Sequence, residues 1–176
     1  VKSEIIPALD KVGEGFEKGK VYLPTLLMSA EAAKAAFYEV KAKMNEKGAR
    51  ATNGRRIVIA TVKGDIHDIG KNIVKLLLEN YGYEVVDLGK DVAVDTIVKE
   101  AVKNDVKMVL LSALMTTTVV SMEETIKEIK KTAPHIKTMV GGAVLSKEYA
   151  EMINADFYAK DAMQSVRLCD EYFENL

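Results

Sequence analysis

The residues of this chain best suited to chemistry lie in one glycine-bracketed segment, VKGDIHDIGKNIV, at positions 62–74. Asp65 lies two residues before His67, and Asp68 follows it directly. A carboxylate at that spacing can accept one N–H of the imidazole, fix its tautomer and make the far nitrogen a better donor to a metal. A histidine in a polar surface turn is the simpler alternative, and the spacing alone names no ligand.

Two further segments place hydroxyls or glycines directly after apolar runs. Ser112 and Leu114 end one run and lead into Met115–Thr118, and Gly141–Gly142 end another. Hydroxyls and bare backbone at such positions suit a long ligand with polar edges. Taken alone, the threonines could cap a helix and the glycines could form a tight turn. These segments could form one binding site if the fold brings them to the same edge of a sheet.

Five short apolar runs alternate with amphipathic segments over residues 56–161. They are Arg56–Val62, Tyr83–Leu88, Met108–Leu114, Lys137–Val140 and Ala155–Ala159. Short, nearly continuous apolar runs are typical of strands covered on both faces. The alternation predicts an α/β fold, Rossmann-like and flavodoxin-like, with a five-stranded parallel sheet and helices on both faces. Such sheets bind ligands beyond the carboxyl ends of their strands, where all three segments above fall.

The helices of this α/β part are predicted from apolar spacing. One inner stripe comprises Ile69, Ile73, Leu76 and Leu77, and a last helix after Met163 is expected to place Val166, Cys169, Phe173 and Leu176 inward. Cys169 is therefore interpreted as a core residue. His135 follows Pro134 in a predicted loop and is interpreted as solvated.

Residues 1–47 show no strand pattern and are predicted to form a helical cap, followed by a linker at 48–55 and the α/β domain at 56–176. Two apolar stripes indicate two helices: Ile5, Leu9, Val12 and Phe16, then Leu26, Ala30, Ala33, Phe37, Val40 and Met44. Two helices bury little alone, and the chain opens with Val1, so we expect a truncated bundle in a fragment of a longer protein.

Composition excludes several classes of protein. The 176 residues are 48% hydrophobic and 29% charged, and 25 basic against 26 acidic residues give a net charge of −1. We therefore expect no nucleic-acid binding, and no apolar run approaches the roughly 20 residues that a membrane span needs. One cysteine and two histidines are too few N/S ligands for a typical structural zinc site. A single cysteine cannot form an internal disulfide, so we expect a cytoplasmic location.

The three segments, taken together, resemble a known signature. Asp65-x-His67-x-x-Gly70, Ser112-x-Leu114 and Gly141-Gly142 are similar to the DxHxxG…SxL…GG pattern of B12-binding domains, in the same order and after the corresponding strands. The chain resembles the cobalamin domain of B12-dependent methionine synthase and the small corrinoid proteins of anaerobic methyltransferase systems. The likeness includes the cap, from Tyr22-Leu23-Pro24 to Ser29-Ala30, and covers essentially the whole chain.

The resemblance implies a role for each position. His67 would replace the cofactor's own base as the lower axial ligand to cobalt, giving the base-off/His-on form. Asp65 would bind His67, and Thr118, where methionine synthase has a serine, would complete a proton relay with altered geometry. Ser112, Leu114, Thr116, Gly141 and Gly142 would line the slot for the nucleotide tail. Further cofactor contacts are expected at Asp68, Ile69, Gly70, Met115, Tyr158, Ala159 and Asp161.

The cap has two interpretations. The chain around the start of the second helix has more apolar residues than one buried stripe requires. These residues could cover the upper face of the corrin: Val21, Tyr22, Leu23, Leu27 and Met28. Alternatively, they could pack against missing helices, and a truncated bundle could self-associate.

The function implied is that of a methyl carrier, a non-catalytic corrinoid subunit that accepts a methyl group on Co(I) from a substrate-specific methyltransferase. It would donate that group to a second methyltransferase, for example one acting on tetrahydrofolate, and a reductive activator could be a further partner. Methanol, methylamines, glycine betaine and aryl methyl ethers remain open as donors. The alternatives are the cobalamin subunit of an adenosylcobalamin mutase, which lacks this cap, and a B12-dependent sensor. A further alternative is a flavodoxin-like or receiver domain that binds no corrinoid, in which case the three-part signature would have arisen by chance.

Overall fold

The computed structural model describes residues 5–46 and 55–176. Two helices precede the sheet, and strands and helices then alternate to the end of the chain. The elements are α1 (Ile5–Glu17), α2 (Leu23–Glu46), β1 (Arg56–Thr61), α3 (Ile69–Asn80), β2 (Glu84–Asp87), α4 (Val94–Lys103), β3 (Met108–Ser112), α5 (Val119–Thr132), β4 (Lys137–Gly141), α6 (Lys147–Met152), β5 (Phe157–Ala159) and α7 (Ala162–Glu174), with one 3₁₀ turn at Thr116–Thr118.

The five strands form one parallel sheet in the order β2-β1-β3-β4-β5. The predicted fold class and all five strands are confirmed. β3 ends at Ser112, two residues earlier than predicted, because the N–H groups of Leu114 and Met115 donate to the Asp65 carboxylate. The chain places β2 on one side of β1 and β3 on the other, so the direction in which strands are added to the sheet changes between β1 and β3. Sheets of this topology bind their ligands at that point.

Helices cover both faces of the sheet because successive strand residues point to opposite sides. Val58 and Ala60 of β1 face the layer of α4, α5 and α6. Ile57 and Ile59 face the opposite layer, which contains α1, α2, α3 and α7. The cap helices therefore pack on the α/β part and share one core with it.

Apolar packing, a hydrogen bond and an ion pair hold α1 against the α/β part. Leu9 is buried in the shared core, the Tyr81 hydroxyl donates to Asp10 at 2.7 Å, and Glu17 pairs with Arg167 at 2.8 Å. Leu26, Ala30 and Ala33 of α2 are buried, as predicted. The side chains of the other predicted α2 positions, Phe37, Val40 and Met44, are outside the described part of the chain. The predicted linker is also outside it, apart from Arg55.

Two predicted inner positions are wrong. Ile69 is 78% exposed because it begins α3 at the open rim of the sheet, and Leu176 is exposed because α7 ends at Glu174. Cys169 is buried as predicted, and burial raises the pKa of its thiol. His135 is exposed, as expected. Within the two described ranges, no helix has the length and apolarity required to cross a bilayer.

Candidate functional site

The centre of the site is the carboxylate of Asp65, in the loop after β1. The side chain is fully buried. Its Oδ1 accepts the backbone N–H of His67 at 3.0 Å and lies 2.8 Å from His67 Nδ1. Its Oδ2 accepts the N–H groups of Leu114 and Met115 at 2.7 and 3.2 Å and the Thr118 hydroxyl at 2.8 Å. One carboxylate thus joins the ends of β1 and β3.

These contacts keep the Asp65 carboxylate ionised. Burial acts to raise its pKa, but the donors supplied by His67, Leu114 and Thr118 outweigh burial and lower the pKa of Asp65 below its usual range. The site therefore contains a buried negative charge that is stabilised by hydrogen bonds.

The charge on Asp65 determines the tautomer of His67. An ionised carboxylate only accepts hydrogen bonds, so Nδ1 of the neutral imidazole must carry the hydrogen. The Nε2 lone pair is then free on a side chain that is 45% exposed. Such an oriented imidazole, with a carboxylate behind it, is a typical metal-ligating arrangement.

Thr118 serves Asp65 rather than a helix end. It is the N-cap residue of α5, yet its side chain makes no capping hydrogen bond. Its hydroxyl lies 2.8 Å from both Asp65 Oδ2 and the Met115 carbonyl oxygen. A hydroxyl has one hydrogen, so it can donate to only one of these acceptors fully. Simple helix capping, the alternative left open by the sequence, does not describe this residue.

A cavity of about 620 Å³ opens beside this pair, between the strand ends and the cap. Its walls are mostly apolar and come from α1, α2, α3, the start of α7 and four strands. The residues predicted from the sequence that line it are His67, Asp68, Ile69, Gly70, Ser112, Leu114, Gly141, Gly142, Ala159, Asp161 and Leu23. One cavity therefore unites the three signature segments with the cap.

The three glycines of the site differ in why a side chain is absent there. A Cβ on Gly142, whose φ is +145°, would lie 1.8 Å from the carbonyl oxygen of Ala113, so β3 and β4 could not approach at this point. A Cβ on Gly141 would lie 3.2 Å from the Ala159 oxygen. Gly70 differs, because a Cβ there would meet nothing within 4 Å. Its missing side chain leaves space on the cavity wall.

Several predicted site residues do not line the cavity. Asp65 and Thr118 are buried behind His67, whereas Met115 and Thr116 are exposed on the rim. Tyr158 points to the other face of the sheet, where its hydroxyl donates to the Leu145 carbonyl at 3.0 Å. Of the predicted cap residues other than Leu23, Tyr22 and Met28 are exposed and Val21 and Leu27 are half-buried outside the cavity.

The sequence interpretation missed Lys71, whose side chain is buried and lines the cavity. Its ammonium contacts Asp87 at 2.6 Å and the Asn72 amide oxygen at 2.7 Å. Lys75 also contacts Asp87, at 3.1 Å. Burial acts to raise the Asp87 pKa, but Lys71, the Gly89 N–H and Lys75 together lower it. The sequence could have indicated this burial, because Lys71 lies on the same helical face as the apolar α3 residues Val74 and Leu78.

Comparison with known proteins matches residues 55–167 to a family described as "B12 binding domain" and residues 3–41 to a second family of the same description. The trimethylamine corrinoid protein 2 of Methanosarcina acetivorans is 41% identical over 157 residues, covering 88% of this chain and 72% of that protein.

Two solved structures resemble the fold and carry related names. A cobalamin-binding protein from Desulfitobacterium hafniense has a TM-score of 0.82 and 33% identity, covering 93% of this chain and 77% of that chain. The methanol:cobalamin methyltransferase complex of Methanosarcina barkeri has a TM-score of 0.83 and 27% identity, covering 99% of this chain and 67% of the matched chain.

Proposed function

The chain belongs to the B12-binding family of corrinoid proteins, and on that premise we propose that it carries a methyl group between two methyltransferases. Its cofactor is a cobalamin or a related corrinoid. The observation that carries the proposal is the pair of Asp65 and His67: a buried carboxylate fixes the imidazole, and its free nitrogen lies at a cavity lined by the signature segments.

The residues present fit such a cofactor. The cavity is mainly apolar, as large organic ligands require, and the bare backbone at Gly70 leaves room along one wall. Among the residues that the structure describes, Asp65 is the one acidic side chain that is fully buried, and both its oxygens accept hydrogen bonds from named donors rather than pointing into the cavity. When bound, the corrinoid supplies a cobalt atom that can take up and release a methyl group.

The contribution of the chain to that chemistry would be one nitrogen ligand and the groups that orient it. His67 would present Nε2 to the cobalt in the base-off/His-on form, and Asp65 would hold the proton on Nδ1. Thr118 can donate to Asp65 or to the Met115 carbonyl, so it offers the carboxylate a hydroxyl that can rotate away if Asp65 is protonated. This arrangement links the basicity of the imidazole to the protonation of a buried carboxylate.

The cap would exclude water from the cavity. Phe16, Leu23 and Leu26 contribute apolar side chains to its wall, and Leu26 is fully buried. Because two partner enzymes would need the same face in turn, the cap must move aside during the cycle. Reductive activation by a further protein, and a cytoplasmic location, belong to the same proposal.

A methylated amine is the first donor to test, because the similar protein from Methanosarcina acetivorans is named for trimethylamine. The chain, loaded with hydroxocobalamin and chemically reduced, would be incubated with ¹⁴C-labelled trimethylamine, dimethylamine or methanol and a methyltransferase specific for each. We expect the label to become bound to the protein with one donor and to transfer onward when an acceptor methyltransferase is added. Corrinoid retention without labelling from any of these three donors would contradict a carrier function for methylamines and methanol, whereas a chain without corrinoid is the control.

A further inference from the structure

A loop that the signature does not include lies against the Asp65–His67 segment. It joins β2 to α4, and its centre is Asp91. We propose that Asp91 is a positioning residue that fixes the backbone of Asp65 and, through the carboxylate, the orientation of His67. The part of this inference that concerns cobalt rests on the proposed function; the part that concerns His67 itself does not.

Asp91 makes two hydrogen bonds to the segment, one through its backbone N–H and one through its side-chain carboxylate. Its N–H donates to the carbonyl oxygen of Asp65 at 3.0 Å. Its Oδ1 accepts the N–H of Gly64 at 2.7 Å. The two bonds bracket the Gly64–Asp65 dipeptide at its first N–H and its last C=O. Gly64 has φ +85°, so without the bracket this dipeptide contains a residue with wide conformational freedom.

The backbone of Asp91 is itself in an uncommon conformation. Its φ is +54°, in the left-handed region that aspartate tolerates better than most residues but still disfavours. This conformation lets one residue direct its N–H and its carboxylate at the same neighbouring segment. Strained backbone of this kind is found where the surrounding structure requires it, and here the requirement is the contact with Gly64 and Asp65.

The loop can act as a support because it is anchored on both sides of Asp91. The Gly89 carbonyl accepts the Thr61 N–H at 3.0 Å, and the Val92 N–H donates to the Thr61 carbonyl at 3.1 Å. Before it, the Gly89 N–H donates to Asp87, which is held by Lys71. The buried lysine, the end of β2 and Asp91 thus form a continuous series of contacts that leads to the Gly64–Asp65 dipeptide.

The position of the Asp65 carboxylate determines the tautomer of His67, so a loosened Gly64–Asp65 dipeptide should be visible at the imidazole. Oδ2 of Asp65 keeps its own donors at Leu114 and Thr118, and the variant should therefore fold. What is lost is the restraint on the distance between Oδ1 and Nδ1, which a supporting residue provides to a ligand.

Two variants separate the side-chain acceptor from the backbone conformation. Asp91→Gly keeps the positive φ and removes the acceptor, whereas Asp91→Asn keeps both. Asp105→Gly is the matched control, because Asp105 also has a positive φ, of +46°, and lies at the opposite end of the sheet before β3. The readouts are the His67 tautomer by ¹⁵N NMR of the chain without cofactor, and the visible spectrum after loading with hydroxocobalamin.

We expect Asp91→Gly to lower the ratio of Nδ1–H to Nε2–H tautomer, and of His-on to His-off corrinoid, by about fivefold, the effect of one lost hydrogen bond. Asp91→Asn and Asp105→Gly should stay within about twofold of the starting protein. An unchanged tautomer in folded Asp91→Gly would overturn the proposal. So would fast amide exchange at Gly64 in the unaltered chain, a measurement that does not depend on any variant. If no variant or parent retains corrinoid, the proposed function fails while the tautomer still decides the role of Asp91.

Discussion

The Thr118 hydroxyl lies 2.8 Å from Asp65 Oδ2, and both side chains are buried. The two residues are 53 positions apart, and their contact ties the loop after β1 to the 3₁₀ turn after β3. The Thr118 methyl group faces Gly64, so the side chain is restricted and its hydroxyl is directed toward the carboxylate. The threonine at this position therefore places its hydroxyl on the carboxylate.

Thr118→Val should remove one donor from a buried carboxylate. We expect the free energy of unfolding, measured with urea in the absence of cofactor, to fall by about 2 kcal/mol, whereas Thr118→Ser should lose less than about 1 kcal/mol. Thr125→Val is the matched control, because Thr125 is equally buried but donates only to the Ser121 carbonyl. A loss in Thr118→Val no greater than in Thr125→Val would show that Asp65 does not depend on the hydroxyl.

Gly70→Ala should separate folding from cofactor binding. Because an added Cβ meets no atom within 4 Å and the residue lies in the first turn of α3, we expect unfolding free energy to stay constant or rise by about 0.5 kcal/mol. The same methyl group enters the cavity wall, so affinity for hydroxocobalamin should fall roughly tenfold, the usual cost of overpacking. Equilibrium titration measures the affinity. Undiminished binding would place the cofactor away from this wall.

Asp87→Asn should destabilise the chain in a manner that depends on pH. Breaking a buried ion pair with Lys71 costs about 3 kcal/mol at neutral pH. The folded pKa of Asp87 is lowered, so its stabilising effect is present above the unfolded value near 3.9 and is lost as the pH falls through the folded pKa. The difference between parent and variant should be constant from about pH 6 to 7 and shrink below about pH 4.

The control for this pH dependence is Glu84→Gln, at the other end of β2. Glu84 pairs with Arg56 at 2.9 Å, but its side chain is 52% exposed, so this change should cost less than about 1 kcal/mol. Urea unfolding at several pH values tests both variants. A difference for Asp87→Asn that stays the same from pH 7 to acid would contradict the assignment of the charge.

Tyr81→Phe should weaken the attachment of the cap. The Tyr81 hydroxyl donates to Asp10 of α1, and burial together with Asp10 raises the pKa of this phenol, so it remains a donor. We expect α1 amides to exchange about fivefold faster, because one hydrogen bond at an exposed partner is lost. Tyr83→Phe is the control, since Tyr83 donates to Asp170 of α7 and not to the cap. Equal exchange of α1 in both variants would show that Asp10 is not what holds the helix.

The sequence predicted the strands and the Asp65–His67 pair because both are local patterns. Apolar runs mark buried strands, and a spacing of two brings a carboxylate within reach of a ring nitrogen. The alternation of side chains in a strand would also have corrected the prediction that Tyr158 and Ala159 both contact the cofactor. Tyr158 pairs with Val140 and faces the α5 layer, whereas Ala159 faces the cavity.

The rest of the site could not be predicted in this way because it depends on contacts between distant segments. Asp91 supports Gly64 only once β2 lies beside β1, and nothing in the segment LGKDV indicates that contact. The positions of Tyr22, Leu27 and Met28 depend on how α2 docks on α3, which two amphipathic helices alone do not determine. Their role above the corrin stays a prediction.

We propose that His67 ligates the cobalt of a bound corrinoid, and the visible spectrum tests this directly. The purified chain would be mixed with hydroxocobalamin, separated from free cofactor, and its visible spectrum recorded beside those of His67→Ala and His135→Ala, the second an exposed histidine outside the cavity. We predict retained corrinoid with a spectrum that changes in His67→Ala and not in His135→Ala. Retained corrinoid with the same spectrum in all three would remove His67 from the metal, and no retained corrinoid in the folded parent would contradict the account.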